Sequence, residues 1–129
     1  MTAVVDSSAW IEYLVEGPNA GRFAAAIEDI RSRIVPTITV LEVYRKVLRD
    51  HGEVMASRSA ALMCLGKVVD LDKPMALSAA RLSIRHKLPM ADSIVLATAR
   101  AHYATVWTQD VDFDGIEGVR YFPAAKRQK

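Results

Sequence analysis

The stretch Leu88-Pro89-Met90-Ala91-Asp92-Ser93-Ile94-Val95-Leu96-Ala97-Thr98-Ala99 decides how the chain is read. Ile94, Val95, Ala97, Thr98 and Ala101 recur at the three-and-four spacing of a helix with one buried face. Pro89 stands where a helix begins, and Asp92 falls in the first turn. An acid there caps free N–H groups and favours the helix dipole, so a structural role accounts for Asp92 taken alone. The other acids change the reading. Asp6, Glu42 and Asp110 each fall at the end of an expected strand or in the first turn of the helix after it. In an open α/β sheet those strand ends share one edge, where ligands bind. Several acids on one edge need a cation.

Outward from that stretch, short apolar strands are expected at 2–5, 34–35, 68–71, 105–108 and 119–122. Helices lie between them. The first carries Trp10, Tyr13 and Leu14 and stops at Gly17-Pro18-Asn19. The second spans roughly 20–32, with Phe23, Ala26, Ile27 and Ile30 inward. The third runs from about Val40 to Asp50 with a wide stripe of Val40, Leu41, Val43, Tyr44, Val47 and Leu48. The fourth covers roughly 53–66 with Met55, Leu62, Met63 and Leu65 inward. Asp72-Lys73-Pro74 opens a fifth helix that reaches about His86. Strands alternating with helices argue a parallel sheet covered on both faces, an α/β fold.

The length of 129 residues fits one domain over 1–129, with 123–129 a frayed basic tail. A hydrophobic share of 51% supports a real core, and a net charge of +2 is too small to announce nucleic-acid binding. Cys64 is the single cysteine, excludes an internal disulfide and is expected as a small buried hydrophobe. The N-terminus lacks a signal peptide's basic start and no apolar run is long enough for a membrane span, so a cytoplasmic protein is expected.

Each acid has a structural explanation of its own. Asp6 can cap the first helix. Glu42 follows Thr39 at the spacing of a capping box and precedes Lys46 by four residues. Asp110 suits an Asx turn, with Asp112 two residues on. Brought within a few ångströms, each close carboxylate pair would repel by about 4 kcal/mol at an effective dielectric of ~20. Protons or a divalent cation would relieve this. Oxygen ligands without cysteine or histidine suit Mg²⁺ or Mn²⁺, the ions of phosphodiester chemistry. His51, His86 and His102 lie at or near helix ends and lack metal-ligand spacing. Basic residues gather at Arg45, Lys46 and Arg49 and at Arg81, Arg85 and Lys87, as solvated faces or as contacts to a polyanion. Trp10, Tyr13 and Tyr44 are expected in the core or a partner groove.

Four strings in order, Val4-Val5-Asp6-Ser7-Ser8-Ala9-Trp10-Ile11, Thr39-Val40-Leu41-Glu42-Val43, Asp92-Ser93-Ile94-Val95-Leu96-Ala97 and Thr108-Gln109-Asp110-Val111-Asp112-Phe113, resemble the PIN-domain ribonucleases. In its compact size the chain is similar to the VapC-type toxins of bacterial and archaeal toxin–antitoxin pairs. The resemblance implies a PIN-like three-layer fold, a five-stranded parallel sheet flanked by helices. It implies a Mg²⁺- or Mn²⁺-dependent endoribonuclease, with Asp6, Glu42 and Asp92 as core metal acids. Asp110 would be the fourth acid and Asp112 a weaker candidate. Hydroxyls of Ser7 or Ser8 and of Thr108 would bind the acids or a water. Arg45 and Arg85 are weaker candidates on the basic clusters. An RNA substrate, an antitoxin lying over the site and a homodimer are implied as partners. The chain departs from many relatives at His86-Lys87-Leu88-Pro89, where they carry a glycine; Pro89 is expected to take over that turn. The alternatives are a receiver-like or Mg²⁺-dependent phosphotransfer domain, and a PIN-fold binding module without catalysis. A receiver wants paired acids after the first strand and a lysine after the fifth; here serines follow Asp6 and no lysine lies between Val119 and Pro123.

Overall fold

Successive strand residues point to opposite faces of a sheet. The first strand is apolar at every position, so both its faces need cover. The computed structural model describes residues 2–125. Its strands are β1 (Ala3–Val5), β2 (Arg33–Pro36), β3 (Lys67–Val69), β4 (Thr105–Thr108) and β5 (Val119–Tyr121). Its helices are α1 (Ser7–Leu14), α2 (Ala20–Glu28), α3 (Thr37–His51), α4 (Glu53–Met63), α5 (Lys73–His86) and α6 (Met90–Ala101). All pairings are parallel, in the order β3-β2-β1-β4-β5. Ala3, Val5 and Val35 face a core completed by Trp10, Phe23, Ile27, Val43 and Met63 of α1–α4. Val4, Ile34 and Val106 face the other way, against Leu82, Val95 and Leu96 of α5 and α6. This is the three-layer α/β arrangement with a five-stranded parallel sheet.

The chain starts in the middle of the sheet, builds outward through β2 and β3, and returns to add β4 and β5 on the other side. That reversal leaves the C-terminal ends of β1 and β4 side by side at a switch point, where open α/β sheets take ligands. The helices α1 and α3 start directly after β1 and β2, so their first turns overhang the same edge.

Several sequence expectations need correction. The second helix ends at Glu28, with a separate 3-10 turn at Ile30–Ser32, and Ile30 is exposed. The cause is Arg33, which is buried and donates to the Ile27 carbonyl at 2.6 Å and to the Met63 carbonyl at 3.2 Å. One guanidinium thereby ties the C-terminal ends of α2 and α4 and lies 4.9 Å from the Trp10 ring centroid. At Gly66 a Cβ would stand 2.9 Å from Arg33 Nε and 3.0 Å from its carbonyl oxygen, which explains a glycine there. The inward face of α4 is Ala56, Ser59 and Met63; Met55 and Leu65 are exposed. Ser59 can face inward because its hydroxyl returns to the Met55 carbonyl at 2.8 Å. Cys64 follows the last buried residue of α4 and is exposed, not buried. The wide stripe of α3 divides: Thr39, Val43 and Val47 go inward, while Leu41, Tyr44 and Leu48 line an outer apolar groove with Cys64 and Val68. In α6, Ala101 is exposed and the inward run is Asp92, Ser93 and Val95–Ala99. The third strand is 67–69, and Leu71 beyond it is exposed. Of the basic tail, residues 126–129 lie outside the described residues. Among the described residues no helix is long and apolar enough to cross a membrane.

The turn before α6 is made by Lys87, not by Pro89. Lys87 has φ 55° and ψ 43°, the left-handed conformation that closes α5, while Pro89 sits extended at the start of α6. Ser83 secures the turn: its hydroxyl donates to the Leu88 carbonyl at 2.7 Å and its carbonyl accepts the Leu88 N–H at 3.0 Å. A side chain in this region costs energy that glycine avoids. Lys87→Gly is therefore expected to stabilise the protein by about 0.5–1 kcal/mol, read as a higher thermal midpoint. A lower midpoint would show that the exposed lysine stem contributes contacts worth more than the strain.

Candidate active site

Asp6 closes β1 and is 1% exposed. It occupies the N-cap position of α1, yet its side chain makes no capping hydrogen bond. Its Oδ2 instead accepts from Ser8 Oγ at 2.9 Å and from Thr108 Oγ1 at 3.0 Å. The two hydroxyls also lie 3.2 Å apart and accept from the backbone: Asp110 N–H donates to Thr108 Oγ1 at 2.9 Å and Gln109 N–H to Ser8 Oγ at 3.3 Å. Each hydroxyl has a single proton, and the Asp6 carboxylate oxygen is within reach of both. The second carboxylate oxygen, Oδ1, is buried without any partner. Burial pushes the Asp6 carboxyl above its usual range, against the pull of Ser8, Thr108 and the Ser7 peptide.

The neighbouring strand and helix complete a cluster. One oxygen each of Asp6, Asp92 and Asp110 lie within 4.8 Å of one another. Asp92 is the third residue of α6 and is buried. Its carboxyl is pushed up to about 8, first by burial, then by the charges of Asp6 and Asp110, a hydrogen-bonding contact with Asp110, and the charge of Glu42. Asp110 makes the expected Asx turn, its Oδ1 accepting the Asp112 N–H at 2.9 Å, and is in the cluster as well. The two roles coexist because a carboxylate has two oxygens. Asp112 is exposed on the 3-10 turn Val111–Phe113 and is not part of the cluster.

Glu42 departs from its expected place. The helix α3 starts at Thr37, so Glu42 lies in the second turn, and Pro36 is the N-cap. Thr39 is fully buried within the first turn with an unpaired hydroxyl, which removes the capping box. Lys46 pairs with Asp50 at 3.6 Å rather than with Glu42. Glu42 Oε1 is buried without a partner, and its carboxyl is raised by burial and by the charges of Asp6 and Asp110, with the Ser7 hydroxyl opposing. Ser8 and Thr108 are the hydroxyls bonded to Asp6. Glu42 lies outside the tight group of three aspartates and is coupled to it by charge. Arg45 is exposed one turn beyond Glu42 and shares a groove with it; Arg85 is exposed on α5 outside that groove.

Carboxylate oxygens 4.8 Å apart repel by roughly 3–4 kcal/mol per pair at an effective dielectric of ~20. No basic side chain is among the causes acting on Asp6, Glu42 or Asp92. Ion pairs among the described residues involve Asp50 alone among the acids. Three converging aspartate oxygens, with an unpartnered buried oxygen on Asp6 and another on the neighbouring Glu42 and no cation from the protein, fit a hard divalent ion.

Polar residues that sequence reading missed hold this edge together. Asn19 is buried; its Nδ2 donates to Gln109 Oε1 at 3.1 Å and to the Pro123 carbonyl at 2.9 Å, and its N–H donates to Glu12 Oε2 at 2.7 Å. It fastens the α1–α2 turn to the loop that carries Asp110. An asparagine after Gly-Pro signals a turn, and nothing local links it to a glutamine 90 residues later. Trp10 is core, and Tyr44 lines the outer groove.

The PIN domain family model matches residues 3–119. No curated protein matches the chain in sequence. Among solved structures, the chain is similar to a toxin–antitoxin complex from Klebsiella pneumoniae, at 25% identity and a TM-score of 0.77 over 92% of this chain and 96% of that one. It is similar to VapC20 of Mycobacterium tuberculosis, a sarcin–ricin loop cleaving toxin, at 17% identity and 0.76 over 92% and 97%. It is similar also to DNA-bound VapBC from Salmonella typhimurium, at 16% identity and 0.73 over 95% and 98%. With nearly its whole length matched, and its acids gathered at the switch point of a three-layer sheet, the chain belongs to the PIN-domain family.

Proposed function

We propose that the protein is a divalent-metal-dependent endoribonuclease and the toxin of a toxin–antitoxin pair, acting in the cytoplasm. The observation that carries this reading is the group of three aspartate oxygens within 4.8 Å at the sheet's switch point, with no basic side chain to balance them. Asp6, Asp92 and Asp110 would hold Mg²⁺ or Mn²⁺, with Glu42 at its margin. When bound, such an ion lowers the pKa of the attacking water and balances charge on the leaving oxygen. The protein's own groups do the rest. Ser8 and Thr108 fix Asp6 Oδ2 and leave Oδ1 without a partner in the protein. The raised carboxyl of Glu42, unpartnered at Oε1, would orient a water or accept its proton. A receiver-like domain is disfavoured by topology, since that fold runs 2-1-3-4-5 and this sheet runs β3-β2-β1-β4-β5.

The Klebsiella relative, solved as a toxin–antitoxin complex, supports an antitoxin partner. Exposed apolar surface in the groove of Leu41, Tyr44 and Leu48, and again at Leu77, Ile84 and Met90, is of the kind that protein partners or a second copy cover.

The test is cleavage of a labelled single-stranded RNA with Mg²⁺, with Mn²⁺ and with chelator, alongside a melt in each. Cleavage is expected only with metal, together with a higher thermal midpoint. Metal-independent cleavage, or no shift at millimolar metal, would sink the shared site. In the same assay Asp110→Asn should lose at least about tenfold more activity than Asp112→Asn, since a lost charge at the metal costs several kcal/mol. Equal losses would overturn the assignment to Asp110, and the reverse order would place the fourth acid at Asp112.

A further inference from the structure

We propose that the groove between α1 and α3 is the track for the RNA backbone next to the scissile phosphate, with Arg45 as its phosphate contact. This rests on the ribonuclease reading above and adds the path that the substrate takes. The groove has a volume of about 430 Å³ and is lined by Ser7, the residue after Asp6, by Glu42, which is coupled by charge to the aspartates, and by Arg45, Lys46 and Arg49 farther along α3. Glu42, Arg45 and Arg49 stand at i, i+3 and i+7 of α3, on one helical face. The bases therefore lie roughly 4.5 and 10.5 Å along the helix axis beyond the acid. Ile11 and the exposed Leu41 give the same groove apolar wall for a ribose or base.

Charge pairing singles out Arg45. Arg49 is bound to Asp50 at 2.8 Å, and Lys46 to the same carboxylate at 3.6 Å. Among the described residues Arg45 has no ion-pair partner. A polyanion that brings one phosphate to three aspartates is repelled there, so attraction has to come from its flanking phosphates. Arg45, one turn from Glu42 in the same concavity, is the nearest group on that helix able to supply it. Such a contact positions the strand without reading its sequence. The groove is walled partly by the apolar side chains of Ile11, Ile38 and Leu41, which suits a single strand with its bases free.

The experiment measures binding of a short labelled single-stranded RNA in chelator, where nothing is cut, over a series of salt concentrations. Loss of one phosphate contact lowers the slope of log K against log salt by about 0.7 for single strands. Arg45→Ala should flatten the slope by that amount and weaken binding several-fold at low salt. Arg45→Lys, which keeps a point charge for phosphate, should restore the slope. Arg85→Ala, which removes a basic residue outside the groove, should leave it unchanged. With Mg²⁺, Arg45→Ala should raise KM and leave kcat within about twofold, the pattern of lost uniform binding. An unchanged slope in Arg45→Ala overturns the proposal and leaves the groove to an acidic peptide. Equal flattening in Arg45→Ala and Arg85→Ala overturns it in favour of diffuse attraction. A parent protein that binds RNA through Arg45 but never cleaves it overturns the ribonuclease reading alone; one that does not bind RNA overturns both.

Discussion

Asp92→Asn is expected to cut RNA cleavage at least about a hundredfold, roughly 2.7 kcal/mol of transition-state stabilisation, while making the metal-free protein melt higher. Both effects follow from one carboxyl. Asp92 is buried beside Asp6 and Asp110, and its pKa is pushed up to about 8. At pH 7 the native protein holds a proton there that the unfolded chain releases, and holding it opposes folding. Asparagine has nearly the same shape and no charge to suppress, so that cost disappears. The gain should be at least about 1 kcal/mol, read as a thermal midpoint roughly 3–5 °C higher for a chain of this size. The same change removes a negative oxygen from the group suited to a cation, so the stabilisation by Mg²⁺ should shrink with the activity. Melts with and without Mg²⁺, beside the cleavage assay, read all three quantities. A variant that melts below the parent without metal would mean that the Asp92 carboxyl makes a structural hydrogen bond that asparagine cannot replace.

The sheet was legible because its strands and helices differ in period and are punctuated by Gly17-Pro18, Pro36, Gly52 and Asp72-Lys73-Pro74. Helical faces were legible only where one side is apolar. In α3 both an inner and an outer face are apolar, and periodicity cannot say which meets the sheet. In α4 the inward Ser59 breaks the pattern, since its hydroxyl is satisfied within its own helix. Arg33 falls between the expected second helix and second strand, and it lies buried because two helix ends offer it carbonyl oxygens. The acids of the site are legible as types at strand ends, and topology alone gathers Asp6, Asp92 and Asp110 across more than a hundred residues. The hydroxyls of Ser8 and Thr108 on Asp6 were implied only through the family resemblance, because their pairing depends on β1 and β4 being neighbours and the strand order is not written in either segment. The link of Asn19 to Gln109 was not legible at all, for the same reason.

Stability without metal should fall as pH rises from about 4 to 8, the reverse of what paired carboxylates give. Asp92 titrates at its usual 3.8 in the unfolded chain and at about 8 in the native protein. Between those values the native state binds one more proton than the unfolded state, so unfolding becomes easier as protons grow scarce. The slope is at most about 1.4 kcal/mol per pH unit for each proton held. Burial raises Asp6 and Glu42 too, so their contributions have the same sign. Below pH 4 the native and unfolded chains both carry the Asp92 proton, and above 8 neither does, so its contribution is level outside the window. A divalent ion inverts the requirement, because carboxylates bind it ionised and release their protons on binding. The stabilisation by Mg²⁺ should therefore grow from pH 6 to 8, and cleavage should rise over the same interval and then level off. Thermal melts from pH 5 to 9, with Mg²⁺ and with chelator, give two curves that diverge as pH increases. A chelator curve that climbs through this range would show the acids already ionised and partnered within the protein, and the convergence of Asp6, Asp92 and Asp110 would then serve no cation.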